Sequence, residues 1–413
     1  MSKFLAKPYH LKNSIQHYAW GTKNEDAFIP QLLGTEAEKD KPYAELWMGV
    51  HPNAPSIVVD SKKEISLQDL IHQNPSEVLG VTTACSFENK LPFLFKVLSA
   101  AEALSIQAHP SKSQAEELHR IDPVNYPDDN HKPEIAIALD KLTALVGFRS
   151  YTEIVSTLKR YPEMSKFIGT EMVNGFVLVE SSEIPQKKER LKELYATLLA
   201  NASKKPTALL TSLNNLEIRL IHMNEDLDER EQLFLKLIKQ YGNDVGLYSL
   251  FLLNLVHLEK GQGVFLEAGV PHAYLKGNII ECMANSDNVV RAGLTPKFKD
   301  MMTLVNILTF ESGEVNVLDF QEQAQVVRYP SLTPEFAVSR INMKQGNMLK
   351  QSCASIQIII NLAGRAAIIW QDGSIECARG CVIMIPSALK GYNILANTDV
   401  ELFRVEVPVN AQD

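Results

Sequence analysis

Two short segments place side chains with metal-binding chemistry at strand spacing. Gln107 and His109 are two residues apart, so the alternation of a strand would point both side chains to one face. The same alternation groups Glu134 with Ala136 and Ala138, whose small side chains leave space in front of the carboxylate. Each segment could therefore present ligands toward the interior of a barrel.

His272 completes the candidate set from much farther along the chain, after the apolar run 264–266. An amide oxygen, a carboxylate oxygen and two imidazole nitrogens suit zinc, with access for other divalent first-row metals. Spacing alone does not bring His272 to His109. Without Gln107, the two histidines and Glu134 would also form the facial triad that binds Fe(II), so these residues alone leave the reaction open.

Periodicity divides the chain that must position these ligands. Residues 1–150 have the pattern of short strands and turns, with one helix predicted from the capping-box spacing of Ser113 and Glu116. Residues 151–256 take the helical period, and after Gly261 the strand pattern returns. We expect the helical block to cover the mouth of a barrel rather than to supply chemistry.

A weak internal echo suggests two barrels. Residues 261–273 and 380–392 align without gaps as a Gly turn, an apolar strand and a Pro-containing turn. This pattern is typical of a jelly-roll hairpin, so two copies indicate two small double-sheet barrels. His272 aligns with Gly391, which offers no ligand atom. We therefore expect a metal ion in the first barrel only.

Composition excludes several classes of protein. The 413 residues are 45% hydrophobic and 22% charged, which is ordinary for a globular chain of two or three domains. With 41 basic and 49 acidic side chains the net charge is -8, so we expect neither nucleic acid nor a membrane as a partner. Residues 1–8 lack a signal-peptide core, and the run 247–258 is too short and too polar to cross a bilayer.

The five cysteines show no disulfide-framework spacing. An odd number of free thiols suits a reducing compartment, so we expect a cytoplasmic protein. Cys377 and Cys381 flank a predicted Arg379-Gly380 turn, with no second pair and no histidine beside them in the sequence. We interpret this pair as structural rather than as a metal site.

Longer motifs make the chain recognisable. They are Gln16-His-Tyr-Ala-Trp-Gly, Tyr43-Ala-Glu-Leu-Trp-Met-Gly-Val-His-Pro, Leu91-Pro-Phe-Leu-Phe-Lys-Val-Leu, Gln107-Ala-His-Pro, Asn130-His-Lys-Pro-Glu, and the run from Gly269-Val-Pro-His-Ala-Tyr-Leu to Arg291-Ala-Gly-Leu-Thr-Pro-Lys. On these segments the chain resembles the type I mannose-6-phosphate isomerases, or phosphomannose isomerases, of the cupin superfamily. The resemblance extends from end to end but weakens after about residue 310, where only the general β pattern matches.

The resemblance implies a mainly β fold with an α insertion, consisting of two cupin (jelly-roll) barrels and a helical domain. Residues 1–150 and 257–315 would form the catalytic cupin, and residues 151–256 the helical insertion. Residues 316–413 would form a C-terminal cupin-like domain without metal. Four residues match the zinc ligands of the family, and we expect one Zn²⁺ per chain at Gln107, His109, Glu134 and His272.

The implied activity is the interconversion of D-mannose 6-phosphate and D-fructose 6-phosphate in a monomeric enzyme. The sugar ring must open, a proton must leave the carbon beside the carbonyl, and a proton must return one carbon away. The intermediate would be a metal-stabilised cis-enediolate. A zinc ion with one carboxylate and three neutral ligands keeps a net positive charge and can act as a Lewis acid on it.

Charged residues within the matched motifs are candidates for the remaining roles. Lys96, Lys132 and Arg291 could bind the substrate phosphate, and the planar guanidinium of Arg291 could instead hold the enediolate oxygens. Asp287 and Glu281 could carry the proton, as could Lys132 where a neighbouring metal ion disfavours its ammonium form. The sequence does not decide among these roles.

The neighbouring residue His131 and two alternative functions also have to be considered. His131 alternates away from the face of Glu134, so we expect it to lie outside the site. A cupin oxygenase that uses Fe(II) would share the two histidines and the glutamate, but it has no use for the surrounding cations or for Gln107 as a fourth ligand. A sugar-binding cupin without activity would not need the ligands and cations that are all present here.

Overall fold

The computed structural model describes residues 4–60, 63–223, 227–320 and 324–409. Nine strands lie in the described part of the first 150 residues: β1 (Tyr9–Lys12), β2 (Ser14–Gln16), β3 (Glu45–Gly49), β4 (Ile57–Asp60), β5 (Lys63–Ser66), β6 (Phe93–Ala100), β7 (Ile106–Ala108), β8 (Glu134–Ala138) and β9 (Leu142–Phe148). Five α-helices lie between them: α1 (Phe28–Leu33), α2 (Leu67–Gln73), α3 (Pro75–Leu79), α4 (Val81–Ser86) and α5 (Lys112–Ile121).

Helices then follow one another for about a hundred residues. They are α6 (Tyr151–Arg160), α7 (Pro162–Ile168), α8 (Thr170–Leu178), α9 (Ile184–Lys204), α10 (Pro206–His222), α11 (Glu229–Tyr241) and α12 (Gly246–Leu252). The chain returns to strands with β10 (Leu253–Leu258), β11 (Gly263–Leu266), β12 (His272–Ala284) and β13 (Val290–Gly293), followed by helix α13 (Met301–Ile307).

The remaining strands are β14 (Val326–Arg328), β15 (Ala337–Met343), β16 (Met348–Cys353), β17 (Gln357–Ala363), β18 (Arg365–Trp370), β19 (Gly373–Ala378), β20 (Val382–Ile385), β21 (Lys390–Ala396) and β22 (Val400–Glu406). Short 3₁₀ helices lie at Asn24–Asp26 and Ser387–Leu389. Among the described helices, none combines the length and the apolar character needed to span a bilayer.

The strands form three antiparallel sheets of ten, eight and four strands within the described chain. The ten-stranded sheet contains β2, β3 and β6–β13, which carry the candidate ligands. The other two sheets contain the C-terminal strands and enclose a separate apolar core around Ile359, Ile368 and Ile394. The predicted fold class, mainly β with an α insertion and two barrels, is confirmed.

The eight-stranded sheet also contains strands from the beginning of the chain. Strand β1 pairs with β20, with Tyr9 opposite Met384, and with β4 on its other side. Strand β5 extends the same edge. The N-terminal residues therefore tie the two β-rich regions together, a connection that the sequence did not indicate. The predicted domain boundaries stay a prediction.

Strand β12 is the longest strand and joins two parts of the ten-stranded sheet. Its first residues pair with β9, and its residues from Gly277 onward pair with β6. Gly277 has a φ of +131°, and a Cβ there would lie 2.7 Å from the carbonyl oxygen of Lys141. Glycine is required at this crossing because any side chain would meet backbone and adopt a strained conformation.

The barrel interior has the predicted strand alternation. Ala136 and Ala138 of β8 belong to a core cluster with Leu98 and Val264, which fills the first barrel. The intervening residues 135 and 137 belong to a different cluster on the opposite face, toward the eight-stranded sheet. Glu134 therefore shares the inner face with the two alanines, as its spacing predicted.

The helical block packs onto one side of the first barrel. Buried side chains at helical spacing, among them Leu191, Leu194 and Leu198 of α9, join a core with Phe148 of β9 and Val290 of β13. Apolar contact along these strands holds the block beside the strands that carry the ligands.

Local predictions of helices were wrong in three places. Four helices, α1 to α4, lie where strands and loops were expected, and α13 lies in the region expected to contain strands alone. The helices α1 to α4 and α13 have five to seven residues each, too few for a periodic pattern to appear. Helix α5 was expected from Ser113 and Glu116, but the capping box is formed by Ser111 and Gln114. The partner of the upstream serine, three residues later, is a glutamine, which satisfies the box as a glutamate does.

Candidate active site

Strand pairing brings the three distant ligand segments together. Gln107 of β7 lies opposite His272 at the start of β12 on one side and opposite Arg291 of β13 on the other. Glu134 begins β8 and lies opposite Met283 of β12. The long strand β12 thus pairs with both ligand segments, although the whole helical block separates β12 from them in the sequence.

His109, Glu134 and His272 converge on one point. Their ligand atoms all lie within 4.8 Å of one another, and this is the one such group of acidic, His or Cys side chains in the described chain. The Nε2 atoms of His109 and His272 lie 3.4 Å from the two carboxylate oxygens of Glu134. All three side chains are buried, with about 1% of their surface exposed.

The converging atoms have no hydrogen-bond partner among the described residues. They are His109 Nε2, His272 Nε2 and Glu134 Oε2. Buried polar atoms are almost always paired, so three acceptors that meet at one point without a protein partner fit the binding of a cation. The donor set fits a divalent metal because it combines neutral imidazole nitrogens with a carboxylate.

Hydrogen bonds on the other ring nitrogens fix the orientation of both histidines. His109 Nδ1 donates to the carbonyl oxygen of Asn288 at 2.8 Å, and His272 Nδ1 donates to the carbonyl oxygen of Val270 at 2.9 Å. Each Nε2 lone pair therefore faces the centre of the site. Burial lowers the pKa of His109 to about 4, which keeps it in the neutral, metal-binding form near neutral pH.

Glu134 is held in its ionised form. Burial opposes ionisation, but Lys132 and then His109 outweigh it and hold the pKa of this carboxyl well below its ordinary value. Lys132 Nζ lies 3.3 Å from Glu134 Oε1 and is 7% exposed as a residue. Gln107 is half-buried, and its Oε1 lies 3.4 Å from the hydroxyl of Ser105. The structure therefore brings three of the predicted ligands, His109, Glu134 and His272, to one point, and it places Gln107 opposite His272 on the neighbouring strand.

A cavity of about 430 Å³ opens beside this cluster. Its wall contains Gln107, Glu134 and every residue predicted for phosphate binding or proton transfer, namely Lys96, Lys132, Glu281, Asp287 and Arg291. A volume of this size is typical of a site for a small molecule. The predicted residues thus share one cavity although they come from five different strands and two loops.

Lys96 lies in the cavity wall between two acids. Its Nζ is 2.9 Å from Glu281 and 3.5 Å from Glu45, and the residue is 6% exposed. Burial favours the neutral amine, but Glu281 and Glu45 outweigh it and raise the pKa of Lys96 above its ordinary value. The ammonium charge of Lys96 is therefore already compensated by protein carboxylates.

Arg291 differs from the two lysines. It is half-buried, and within the described residues it has neither an ion pair nor a hydrogen-bond partner. Burial lowers its pKa from the ordinary value. Lys297, an exposed residue that the sequence analysis did not single out, lies in the same wall, with its Nζ 6.0 Å from the ring centre of Tyr18. These two cations have charge available for an anionic ligand.

The two candidate proton carriers have opposite environments. Burial raises the pKa of Glu281, against the opposing effect of Lys96. Asp287 accepts a hydrogen bond from His51 Nε2 at 3.0 Å, and this contact lowers its pKa. Its side chain is 48% exposed, at the rim of the cavity. His131 points away from the site, as expected, and bonds Glu335 of the second β-rich region at 2.6 Å.

Several wall residues were not identified from the sequence. They are Tyr18, Trp20, Glu45, Trp47, His51, Gln240, Tyr241 and Lys297. All but two of them lie inside the motifs that carry the family resemblance, so the motifs themselves held the signal. Gln240 and Tyr241 end helix α11, so the helical block contributes directly to the wall and does more than cover the barrel.

Comparisons with known proteins agree with this geometry. The family model described as "Phosphomannose isomerase type I, catalytic domain" matches residues 9–151. Mannose-6-phosphate isomerase from Rattus norvegicus is 38% identical over 387 residues, which cover 90% of this chain and 91% of that protein. The enzyme of the same name from Saccharomyces cerevisiae is 38% identical over 92% of this chain and 94% of its own.

Solved structures give the same relationship. A crystal structure of a zinc-bound mannose 6-phosphate isomerase is similar with a TM-score of 0.81 and 32% identity, covering 97% of this chain and 100% of that one. A point mutant of phosphomannose isomerase from Salmonella typhimurium is similar with a TM-score of 0.82 and 32% identity over 97% of this chain.

Proposed function

The chain belongs to the type I phosphomannose isomerase family, and from this premise we propose that it is a zinc-dependent enzyme that interconverts mannose 6-phosphate and fructose 6-phosphate. The isomerase activity itself is inferred from the relatives. The zinc dependence, the intermediate and the role of each residue are our inferences from the site.

One observation carries the proposal. The orphaned atoms of His109, Glu134 and His272 converge beside a cavity whose wall holds the unpaired guanidinium of Arg291. A cation site next to a free anion-binding group matches a substrate that carries both a phosphate and a carbonyl.

We propose that Gln107, His109, Glu134 and His272 hold one divalent ion. When bound, zinc would supply Lewis-acid polarisation of the substrate oxygens beside the reacting carbons. The two backbone carbonyls that fix the histidine rings keep these ligands in position. Lys132, beside Glu134, adds positive charge on the side of the cavity where oxyanion charge would develop.

The contacts of the cationic side chains support different roles for them. Arg291 is the group that we assign to the enediolate oxygens or the phosphate, because its guanidinium is half-buried and has no protein partner in the described chain. Lys297 is a second candidate for the phosphate. Phosphate binding by Lys96 stays an untested prediction, and its contacts with Glu281 and Glu45 are better suited to positioning Glu281.

Glu281 is the better candidate for the proton carrier. Its raised pKa is closer to the operating pH of a general base than the lowered pKa of Asp287. Asp287 is instead paired with His51 and suits a role in shaping the rim. We propose that Glu281 takes the proton from one carbon of the open-chain sugar and returns it to the neighbouring carbon.

The two alternative functions are weaker. An Fe(II) oxygenase and a non-catalytic sugar-binding protein both fit the ligand geometry, but the chain belongs, along its whole length, to a family of isomerases. We also propose a cytoplasmic location, which the five free cysteines support because free thiols suit a reducing compartment. A monomeric state stays a prediction.

The experiment is to incubate the purified protein with fructose 6-phosphate in D₂O and to follow the sugar phosphates by NMR. We expect mannose 6-phosphate to appear, with deuterium at carbon 2 in part of the product, because an enediolate exchanges its proton with the general base and solvent. Appearance of mannose 6-phosphate without any deuterium would favour direct hydride transfer and contradict the enediolate. No conversion at all would contradict the activity.

A further inference from the structure

A second chemically unusual cluster lies away from the active site, in the C-terminal barrel. Cys381 precedes β20, and Cys377 lies in β19 across the turn at Gly380. Strand β1 pairs with β20 so that His10 lies opposite Ile383, two residues after Cys381. Residues two apart share a face, so His10 is brought to the sulfur of Cys381.

The contact is close, and the histidine comes from the other end of the sequence. His10 Nδ1 lies 3.1 Å from Cys381 Sγ, and the two residues are 371 positions apart. From the sequence, we interpreted the two cysteines as structural because no histidine was expected near them. The structure shows that His10 is near, so this expectation was wrong. Both His10 and Cys381 are partly exposed, whereas Cys377 is buried.

The environment of Cys381 favours the thiolate. A hydrogen bond from Cys377 and then the contact with His10 lower the pKa of Cys381 to about 6, while burial acts in the opposite direction. The same contact raises the pKa of His10. Arg379, two residues away, directs its Nε to the Leu362 carbonyl oxygen. Within the described chain, the Cys377 thiol and the His10 imidazole are thus the titratable groups that act on this sulfur.

The other cysteines lack this combination. Cys85 is exposed and has no side-chain hydrogen bond to a histidine or cysteine among the described residues, and Cys282 and Cys353 are buried. Burial raises the pKa of Cys353 to about 12 and also raises that of Cys282. Within the described chain, Cys381 is therefore the one cysteine of the five that combines partial exposure with an imidazole contact.

We propose that Cys381 is a modification site that reacts with hydroperoxides and other soft electrophiles, with His10 stabilising the thiolate and Cys377 acting as the resolving thiol. We do not propose a metal site at Cys381. Among the described residues, the active-site group is the one cluster of three or more His, Cys or acidic side chains whose donor atoms converge. The proposal is independent of the isomerase activity.

The oxidation proceeds in two balanced steps. The Cys381 thiolate attacks the terminal oxygen of a hydroperoxide, the O–O bond breaks, and the departing alkoxide or hydroxide takes a proton from the His10 imidazolium. The sulfur is oxidised to a sulfenic acid, and the peroxide is reduced to an alcohol or water. The Cys377 sulfur then attacks the sulfenic sulfur, an S–S bond forms, and the hydroxyl leaves with the Cys377 proton as water.

The test compares two thiols of one protein at two pH values. The native, metal-loaded protein is treated briefly with iodoacetamide at pH 6 and at pH 9, and labelling of each cysteine is read by peptide mass spectrometry. At pH 6 we expect Cys381 to react roughly tenfold faster than Cys85, because its larger thiolate fraction outweighs its lower intrinsic nucleophilicity. At pH 9 the order should reverse, since alkaline pH removes the advantage of a low thiol pKa and Cys85 is the more exposed of the two. Equal or slower labelling of Cys381 at pH 6 would overturn the proposal.

Two variants separate the roles of the partners. His10→Gln should reduce labelling of Cys381 at pH 6 about tenfold and leave Cys85 unchanged, and unchanged labelling would remove His10 from the proposal. With hydrogen peroxide, the parent protein should lose two hydrogen atoms by forming the Cys377–Cys381 disulfide. Cys377→Ser should instead gain one oxygen that a sulfenic-acid trap captures, while the control Cys85→Ser should behave like the parent. A disulfide at any other pair, or no oxidation of Cys381, would contradict the proposal.

Discussion

At the scale of single residues, the active site depends on groups that never touch the substrate. His109 is oriented by the carbonyl oxygen of Asn288, and Asn288 is held by Asp128, which accepts bonds from Asn288 Nδ2 and from the backbone N–H of Asp287. Asp128 also accepts a hydrogen bond from Ser286 at 2.8 Å. One carboxylate therefore anchors the loop that positions both the proposed metal ligand His109 and the cavity rim.

This anchoring predicts a defined effect of Asp128→Ala. Loss of the four hydrogen bonds that the Asp128 carboxylate accepts, including one from the backbone N–H of Asn130, should loosen the Asn288 carbonyl. Zinc affinity should then fall about 10–100-fold, as for other groups that orient metal ligands. The measurement is competition for zinc against a chromophoric chelator. Asp129→Ala is the matched control, since this exposed neighbour contacts Lys112 and should leave zinc affinity unchanged. Equal affinities for both variants would show that the loop does not position His109.

Arg291 allows a distinction between binding and catalysis. If its guanidinium holds the enediolate oxygens, Arg291→Ala should lower kcat and kcat/KM together by about two to three powers of ten, with little change in substrate binding. If it only captures phosphate, KM should rise while kcat stays near the parent value. Arg291→Lys keeps the charge but loses the planar fork, so near-complete recovery of activity by lysine would argue against bidentate contact. Metal content must be measured in parallel with both variants.

The sequence predicted the site residues better than their partners. Strand alternation was sufficient to place Glu134 with its alanines, because this pattern is local, whereas His109 lies just beyond the end of β7. The ion pairs of Lys96 with Glu281 and Glu45, and the contact of His10 with Cys381, join residues that are remote in the chain. No local pattern encodes such pairs, so their effects on charge and pKa were visible only in the fold.

At the scale of elements, strand β12 determines the geometry of the site. It begins with His272, crosses from β9 to β6 at Gly277 and carries Glu281 to the opposite wall of the cavity. Long strands with a sharp change of partner cannot be predicted from periodicity, since the pattern is the same on both sides of the crossing. The short helices α1 to α4 were missed for the related reason that each contains fewer than two full turns.

The crossing predicts a strong effect of Gly277→Ala. The positive φ and the contact with the Lys141 carbonyl oxygen should lower the free energy of unfolding by about 1–3 kcal/mol. Urea unfolding monitored by circular dichroism measures this change. Gly175→Ala is the control, because Gly175 lies in helix α8 with no atom within 4 Å of an added Cβ, and alanine there should be neutral or stabilising. A Gly277 variant as stable as the parent would mean that β12 can cross elsewhere.

At the scale of the whole molecule, two β-rich regions share structure but not chemistry. The glycine turns at Gly261 and Gly380 both have positive φ and both lead into short buried strands, β11 and β20. The strands that follow begin with His272 in one region and with Lys390 and Gly391 in the other. The two segments of the internal echo are therefore built alike, but the predicted hairpins were wrong, because β11 does not pair with β12 and β20 does not pair with β21. At the position of the proposed ligand His272, the second segment has Gly391.

This asymmetry predicts one tightly held ion per chain. Elemental analysis of the purified protein should give one equivalent of zinc, and His272→Ala should reduce it to near zero. Removal of the ion leaves buried polar atoms unpaired, so chelation should lower the thermal midpoint. Zinc at about 100 times its dissociation constant should restore about 2.7 kcal/mol relative to the apo protein. Two equivalents per chain would indicate a second metal site that the echo excludes.

We propose that one ion held by His109, Glu134 and His272 supports sugar phosphate isomerisation. The most direct measurement is a coupled assay with mannose 6-phosphate on the native protein, the chelated protein and the chelated protein after addition of one equivalent of zinc. We expect activity in the first, its loss in the second and its return in the third, with no return in His272→Ala. Full activity in a preparation shown by elemental analysis to contain no metal would contradict the account.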